Sequence, residues 1–294
     1  MIVTVTCNPA IDKSVCENET IYDIGGKGIN VSKVLHKFNQ PSLATGLIGD
    51  ENKMIIIDGL DELKIPHHFV TVEGKVRTNT KMIIDNKLYE DNEKGPEVAE
   101  ERFEKLLKHL STYVNTTVVV SGSAPKNLHS DIYYRMVKLL KDNHNYVILD
   151  CSGDLFKEAI KAKPDVIKPN KDEICDFFGI EYDLKEIVIR CRKLLEDGLK
   201  QIVVSLGEDG ALFMDEYGTY RCKALEVDYA NAVGAGDAMV AVLAYGKENH
   251  FDERSIIRLA MAAAAASVEM EGSKAPELSG VLRHIGEVEI EEME

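Results

Sequence analysis

The sequence predicts an α/β fold with a mostly parallel central sheet and helices on both faces. Three observations lead there. From about residue 99, helical stretches alternate with short strand-like runs, the order expected of parallel strands joined by crossover helices. The run "TTVVV" at 116–120 is β-branched throughout, which suits a strand buried on both faces. The strand-like runs also end in small or polar residues, and parallel sheets bind ligands beyond the carboxyl ends of their strands.

Each element has a local reason. Residues 2–7 alternate and then meet Asn8-Pro9, so they read as a strand ending in a turn. After the glycine pair at 25–26, Val31, Val34, Leu35 and Phe38 share one helical face, and Asn39 can take the left-handed conformation that ends a helix. Residues 43–47 read as a strand and 54–63 as a helix. In "TNTKMIIDNKLYE" at 78–90, Met82 and Ile84 alternate with polar residues, Asp85-Asn86 is a turn pair and Leu88-Tyr89 resume an extended pattern. That is a hairpin, standing off the main body. Helix 99–110 then precedes strand 116–120, helix 130–142 precedes strand 146–150, and helix 154–161 precedes strand 165–170. Helices at 171–178 and 184–197 precede strand 201–205. The strand-end positions to inspect are Asn8, Asp12, 121–123, Asp150, 168–170 and 205–210. The acidic stretch "GEVEIEEME" at 286–294 reads as a short strand and a solvated tail.

Composition narrows the function classes. The chain has 294 residues, 45% hydrophobic and 29% charged, as in ordinary globular proteins, with room for one large α/β domain or two modest ones. A formal net charge of −15 argues against nucleic acid or an anionic membrane as the main partner, because both need clustered positive charge. A polyanionic small substrate requires a local group of cations. The cysteines at 7, 16, 151, 175, 191 and 222 show no zinc-ligand or C-x-x-C spacing and read as reduced thiols of a cytoplasmic protein. The first residues read as a strand rather than a signal peptide. The longest apolar run, at 259–268, is too short to span a bilayer.

One stretch carries chemistry. In "NAVGAGDAMVA" at 231–241, Gly234, Ala235 and Gly236 precede a lone acid, Asp237, and apolar residues follow at helical spacing. A helix starting there presents unpaired N–H groups and the positive end of its dipole, a nest for an anion. A carboxylate in that first turn can take a proton from an alcohol attacking phosphorus, while the amides hold the phosphoryl oxygens. Such short glycine patterns also recur at ordinary helix starts.

The stretch "VGAGDAMVA" resembles the C-terminal signature of the PfkB/ribokinase-like carbohydrate kinases, and "GGKGINVSKVL" at 25–35 resembles their N-terminal one. Further blocks match in order: "NPAID" at 8–12, "VRTNTK" at 76–81, "SGSAP" at 121–125, "ILDCSG" at 148–153, "KPNKDE" at 168–173 and "SLGEDGALF" at 205–213. "NPAID" and "GGKGINVS" point to the sugar-phosphate branch, the 1-phosphofructokinases and tagatose-6-phosphate kinases. The resemblance implies a ribokinase-like three-layer sandwich over 1–294, with a β lid at 13–24 and 76–91. It also implies ATP, Mg²⁺ and a phosphorylated ketohexose, foremost fructose 1-phosphate converted to the 1,6-bisphosphate.

It implies residue roles as well. Asp237 matches the catalytic base, and Gly234, Ala235 and Gly236 the anion hole. Asp12 matches an acid that receives sugar hydroxyls; Gly25, Gly26, Lys27 and Asn30 match the substrate loop. Lys27 and Arg77 are candidates to hold the sugar's existing phosphate, with Ser123 adding a donor. Lys168, Ser205, Gly207, Glu208 and Gly210 match the nucleotide side, and Asn170 and Glu173 a pair that organises Mg²⁺ through water. The Ala-rich stretch 260–266 lies near the adenine in the family.

The sequence also departs from the pattern. Only Lys13 to Ile24 separate Asp12 from Gly25, which predicts a reduced lid without room for the full excursion seen in relatives. A short lid excludes water less well and weakens the expectation of a homodimer formed through lids. Ala232 and Ala238 stand where relatives often carry hydroxyl residues. Two alternatives accompany this reading: a tagatose-6-phosphate kinase, and a non-catalytic sugar-phosphate or nucleotide-binding protein with an eroded lid.

Overall fold

A computed structural model describes residues 1–16, 19–84, 87–228, 234–270 and 274–293. The Asp85-Asn86 turn and positions 231–233, including Ala232, lie outside the described residues. The first half of the chain runs β1 (Ile2–Thr6), β2 (Ala10–Cys16), β3 (Glu19–Gly25), α1 (Lys27–Lys37), β4 (Ser42–Glu51), α2 (Lys53–Glu62), β5 (His67–Lys75), β6 (Arg77–Ile84) and β7 (Lys87–Asn92). Next come α3 (Glu100–Leu110), β8 (Thr117–Ser121), α4 (Ile132–Asp142), β9 (Tyr146–Asp150), α5 (Gly153–Ala159), β10 (Val166–Ile167), α6 (Lys171–Phe178) and α7 (Leu184–Glu196). The remainder is β11 (Gln201–Ser205), β12 (Ala211–Asp215), β13 (Thr219–Cys222), α8 (Ala235–Glu248), α9 (Glu253–Val268), α10 (Leu278–His284) and β14 (Glu291–Glu292).

Ten strands form the central sheet in the order β14-β13-β12-β11-β10-β9-β8-β1-β4-β5. The pairs from β5 to β11 are parallel, and β12, β13 and β14 close one edge antiparallel. The central strands are apolar on both faces, as their composition demands. Val3, Val5, Val118, Val120, Val147 and Leu149 face a core shared with α3 to α7. Ile2, Val119 and Ile148, their neighbours along the same strands, face α1, α8 and α9. This second face matters for function. On it the last residues of three adjacent strands, Thr6, Ser121 and Asp150, stand in register, beneath the starts of α1 and α8.

A separate sheet, in the order β3-β2-β6-β7, stands beside the body. Strand β2 pairs antiparallel with β3 and parallel with β6. Residues 13–24, where a shortened lid segment is expected, run out along β2 and return along β3. Seven residues in each strand reach about 23 Å at ~3.3 Å per residue, so twelve intervening residues suffice for a complete hairpin. At its root Ile11 and Ile24 are buried against Ile56 and Leu60 of α2 and Ile48 of β4. Each such burial stabilises by roughly 1.5–3 kcal/mol, which ties the small sheet to the body at its base.

Three strands escape the sequence reading: β5, β12 and β13. The predicted strand over 165–170 shrinks to Val166–Ile167, followed by a single bridge between Asn170 and Ser205. Pro169 between them has no N–H to give to a ladder. Cys7, Cys151, Cys175, Cys191 and Cys222 are buried and unbridged. Burial pushes the Cys7 thiol up to about 12, far from the thiolate that reacts or binds metal. Among the described residues no helix is long and apolar enough to cross a membrane.

Candidate active site

The site forms where the carboxyl ends of β1, β8 and β9 meet the first turns of α1 and α8. Helix α8 follows Gly234, whose φ of 88° is the left-handed conformation that glycine takes without strain. Among the described residues no side chain caps this helix. Its first internal bond runs from the Ala238 N–H to Gly234 O, so the N–H groups of Ala235, Gly236 and Asp237 precede the helical ladder and point outward. A Cβ on Gly236 would lie 3.1 Å from Lys168 Nζ; the bare backbone lets an ammonium approach the nest. Helix α1 likewise begins after a glycine. Gly26 has φ 115°, and a Cβ there would meet Thr6 Cγ2 at 2.9 Å and the Pro9 backbone at 3.2 Å.

Asp237 is 7% exposed. Its Oδ2 accepts a hydrogen bond from Asn30 Nδ2 at 2.8 Å. Burial raises its pKa to about 6 and the charge of Asp150 adds to the rise, against Lys27, Asn30 and Lys168. A carboxylate with that affinity for protons is ionised at neutral pH and still able to accept one. Ala238, the residue after it, is fully buried and packs in the core on that face.

Asp150, at the end of β9, is the charge centre that the sequence reading marked only as a strand end. It is 1% exposed. Its Oδ1 accepts from Lys27 Nζ at 3.1 Å and lies 3.5 Å from Lys168 Nζ. Burial opposes its ionisation, yet Lys168 and Lys27 outweigh burial and hold its carboxyl below the usual range. Lys27 is raised in turn: burial lowers it, but Asp150, Asp237 and Glu173 more than compensate. One residue thus ties together a candidate substrate cation, a candidate nucleotide cation and the candidate base.

Beside this group lies a cavity of about 210 Å³ lined by Asn8, Gly26, Lys27, Arg77, Gly122 and Ser123, among others. That is below the ~300–1,000 Å³ of whole-ligand pockets and fits one end of a ligand. Arg77 Nε donates to Asn8 O at 3.2 Å, and Asn8 Nδ2 donates to Ser123 Oγ at 3.4 Å. The buried Tyr133 hydroxyl lies 3.2 Å from Gly122 O and 3.3 Å from Ser123 O, which fixes that loop. The structure therefore brings Lys27, Arg77 and Ser123 into one cationic pocket.

Asp12 sits on β2 at the root of the small sheet. Its Oδ1 accepts from Asn79 Nδ2 at 2.9 Å. Gly25 makes room for it: a Cβ there would fall 2.1 Å from Asp12 Oδ2. Asn79 escapes the sequence reading, although it lies in the block "VRTNTK" that carries Arg77.

The residues expected on the nucleotide side form a second group along the sheet. Asn170 and Glu173 cap α6 reciprocally: Asn170 Oδ1 accepts from Glu173 N–H and Glu173 Oε2 from Asn170 N–H, both at 2.8 Å. This capping box accounts for Asn170 Oδ1 and Glu173 Oε2, leaving Glu173 Oε1. A single carboxylate oxygen suits Mg²⁺, which keeps several waters and takes few protein ligands. No group of three His, Cys, Asp or Glu able to hold a metal occurs among the described residues. Gly207, Glu208 and Gly210 lie in the short turn joining β11 to β12, with Leu206 N–H donating to Gly210 O at 2.8 Å. That turn is a hairpin connection, and Gly210, at φ 95°, packs where a Cβ would meet Cys222 O. Ala260 to Ala263 of α9 are buried in the core that this helix shares with α8.

The profile of the pfkB family of carbohydrate kinases matches residues 4–279. The chain belongs to the pfkB carbohydrate kinase family. It is similar to the 1-phosphofructokinase of Borreliella burgdorferi, 32% identical over 281 residues, with 91% of each chain covered. Among solved structures it resembles a Thermotoga maritima protein named "Possible 1-phosphofructokinase", with a TM-score of 0.89, 25% identity and 100% and 99% of the two chains covered. The phosphofructokinase-2 of Escherichia coli superposes with a TM-score of 0.90 at 21% identity, over 97% of this chain and 98% of the other; at that identity the likeness is one of fold. The protein is a sugar kinase, a phosphotransferase with an alcohol acceptor, and as in its family the donor is ATP.

Proposed function

We propose that this kinase phosphorylates a ketohexose phosphate, foremost fructose 1-phosphate to fructose 1,6-bisphosphate, with Asp237 as general base. The observation that carries the reading is the cationic pocket of Lys27, Arg77 and Ser123 next to a buried, proton-avid Asp237. An unphosphorylated sugar has no use for that pocket. The Borreliella 1-phosphofructokinase supports the choice of sugar.

In this mechanism Arg77 and Lys27 hold the sugar's resident phosphate, the arginine through its fork of donors and the lysine as a point charge. Asp12 receives sugar hydroxyls. The acceptor hydroxyl gives its proton to the Asp237 carboxylate as its oxygen attacks the γ-phosphorus of ATP. The bond from that phosphorus to the bridging oxygen breaks, and ADP leaves with the electron pair. The N–H groups of Ala235, Gly236 and Asp237 receive the phosphoryl oxygens as charge redistributes. Asn30 keeps the Asp237 carboxylate oriented without adding a charge. Magnesium, when bound, neutralises charge on the nucleotide phosphates; Glu173 Oε1, and Asn170 through water, are the groups of this chain that would hold it. Lys168, beside Gly236, faces the same phosphates, and Ser205, Gly207, Glu208 and Gly210 border the nucleotide.

The small sheet serves as the lid, and its exposed Ile21, Tyr22 and Tyr89 support a homodimer formed through it. The decisive experiment is a coupled ADP-release assay with Mg-ATP against fructose 1-phosphate, fructose 6-phosphate and tagatose 6-phosphate. Sugar-dependent turnover that vanishes in Asp237→Asn is expected, with the highest kcat/KM for fructose 1-phosphate. A higher value for tagatose 6-phosphate reassigns the substrate, and no turnover with any of the three refutes the proposal.

A further inference from the structure

We infer that Asn79 is a positioning residue for sugar recognition, holding the Asp12 carboxylate in the orientation that receives sugar hydroxyls, which rests on the reading of Asp12 as the hydroxyl acceptor. Asp12 and Asn79 are register partners across the parallel pair β2 and β6. Asn79 Nδ2 donates to Asp12 Oδ1 at 2.9 Å. A carboxylate only accepts hydrogen bonds, so the amide has one possible orientation, nitrogen toward Asp12 and oxygen away.

That orientation has a cost. Asn79 Oδ1 is buried and has no hydrogen-bond partner among the described residues, and a buried unpaired carbonyl destabilises. An apolar residue at this register position would avoid the cost. The compensation visible in the structure is the bond to Asp12. From the other side, Gly25 leaves the space that Asp12 Oδ2 occupies, since a Cβ would come within 2.1 Å of it. The carboxylate is thus clamped through one oxygen by an amide and accommodated at the other by a missing side chain. The geometry is that of a fixed acceptor, not of a surface acid.

Arg77 lies two residues before Asn79 on β6 and therefore on the same face of the strand. In the parallel register Ala10 stands opposite Arg77 and Asp12 opposite Asn79, so Asp12 and Arg77 share one face of the small sheet, and the charge of Asp12 acts on Arg77. One strand then sets both ends of the substrate: Arg77 the resident phosphate, and Asn79, through Asp12, the hydroxyls.

The test is steady-state kinetics on the full chain, with the best substrate of the sugar-phosphate panel and with ATP varied separately. Asn79→Ala is expected to raise KM for the sugar phosphate roughly tenfold or more, the loss of a hydrogen bond to a charged group, with KM for ATP and the melting temperature little changed. Asn79→Asp is nearly isosteric and carries the test if the alanine variant fails to fold. At pH 8 its second carboxylate repels Asp12, so KM for the sugar is high. As pH falls, a proton shared between the two carboxyls restores a donor, and KM returns toward wild type. A merely structural role would not give that rescue. A wild-type sugar KM in Asn79→Ala, equal rises for sugar and ATP, or a pH-independent penalty in Asn79→Asp overturns the positioning role. Asp12→Ala separates the layers: if it leaves the sugar KM unchanged, the reading of Asp12 falls instead.

Discussion

Replacing Asp237 by Asn should make this enzyme inactive and more stable. The folded-state pKa is about 6 against an ordinary value of 3.8, a difference of about two units at 1.36 kcal/mol each. Between those two values the native state binds a proton that the unfolded chain has already released. Stability therefore falls as pH rises through that window. Above it, keeping Asp237 ionised in the fold costs about 3 kcal/mol. Asparagine removes that cost and keeps an oxygen to accept from Asn30, so about 2–3 kcal/mol should be recovered. With ~2.1 cal/mol/K of unfolding entropy per residue, the melting temperature rises by about 3–5 °C. Thermal melts of apo wild type and Asp237→Asn at pH 8, 6 and 4 test this. The gap should be largest at pH 8 and shrink to about 0.5 kcal/mol by pH 4, where Asp237 is protonated in the fold and only partly so in the unfolded chain. In the same variant kcat should fall by about 10²–10⁴, while wild-type kcat/KM should rise with pH through about 6. A variant less stable than wild type at pH 8, or a gap independent of pH, would refute the assignment of Asp237 as a strained, buried base.

Three other perturbations probe separate parts of the site. Arg77→Ala should raise KM for the sugar phosphate by about tenfold or more without changing KM for ATP; the check is the same coupled assay. Asp150→Asn leaves two ammonium groups, one nearly fully buried, without their carboxylate, and should destabilise by about 3–5 kcal/mol in urea titrations. Losing its charge also lowers the pKa of Asp237, so the acidic limb of the rate profile moves to lower pH while kcat drops. Gly25→Ala drives a methyl into Asp12 Oδ2 and should match Asp12→Ala in sugar KM, measured side by side.

The parallel body was legible because its strands are short, apolar and separated by helices with clear faces. The strands that went unread had weaker signals. β5 contains two histidines and a glycine among its nine residues, and β12 and β13 lie behind a turn whose glycines are the stronger local signal. The hairpin strands on either side of residues 17–18 give no such signal, because the count of residues between Asp12 and Gly25 says nothing of their extension. Within the site, motif residues such as Asp237, Lys27 and Arg77 could be picked by chemistry and spacing. Asp150 and Asn79 could not, because their importance comes from partners 123 and 67 positions away in the chain, across strands whose register no local pattern specifies. The signal for Asp150 was present but weak: an acid ending an apolar strand.

Asp150 also resolves a problem that Asp237 poses. A general base must be buried enough to want a proton and must not be satisfied by a nearby cation. Phosphoryl transfer needs cations in the same few ångströms, and a chain with a net charge of −15 has no general positive field to supply them. Lys27 and Lys168 already act to lower the pKa of Asp237, and pairing them with it directly would hold it ionised. The structure gives the lysines their own carboxylate instead, with Asp150 Oδ1 taking both. Asp237 receives a neutral amide from Asn30. The two lysines and two aspartates sum to zero charge, so the site does not repel itself when empty. On the proposed mechanism this leaves Asp237 available as the base, with the cations already in place for the phosphates. Preorganisation of this kind places positive charge where negative charge develops without a rearrangement at the moment of reaction. It also explains why Asp150 lies under the loop rather than in it: from the end of β9 it reaches both lysines while the backbone nest of α8 stays open to the phosphoryl group.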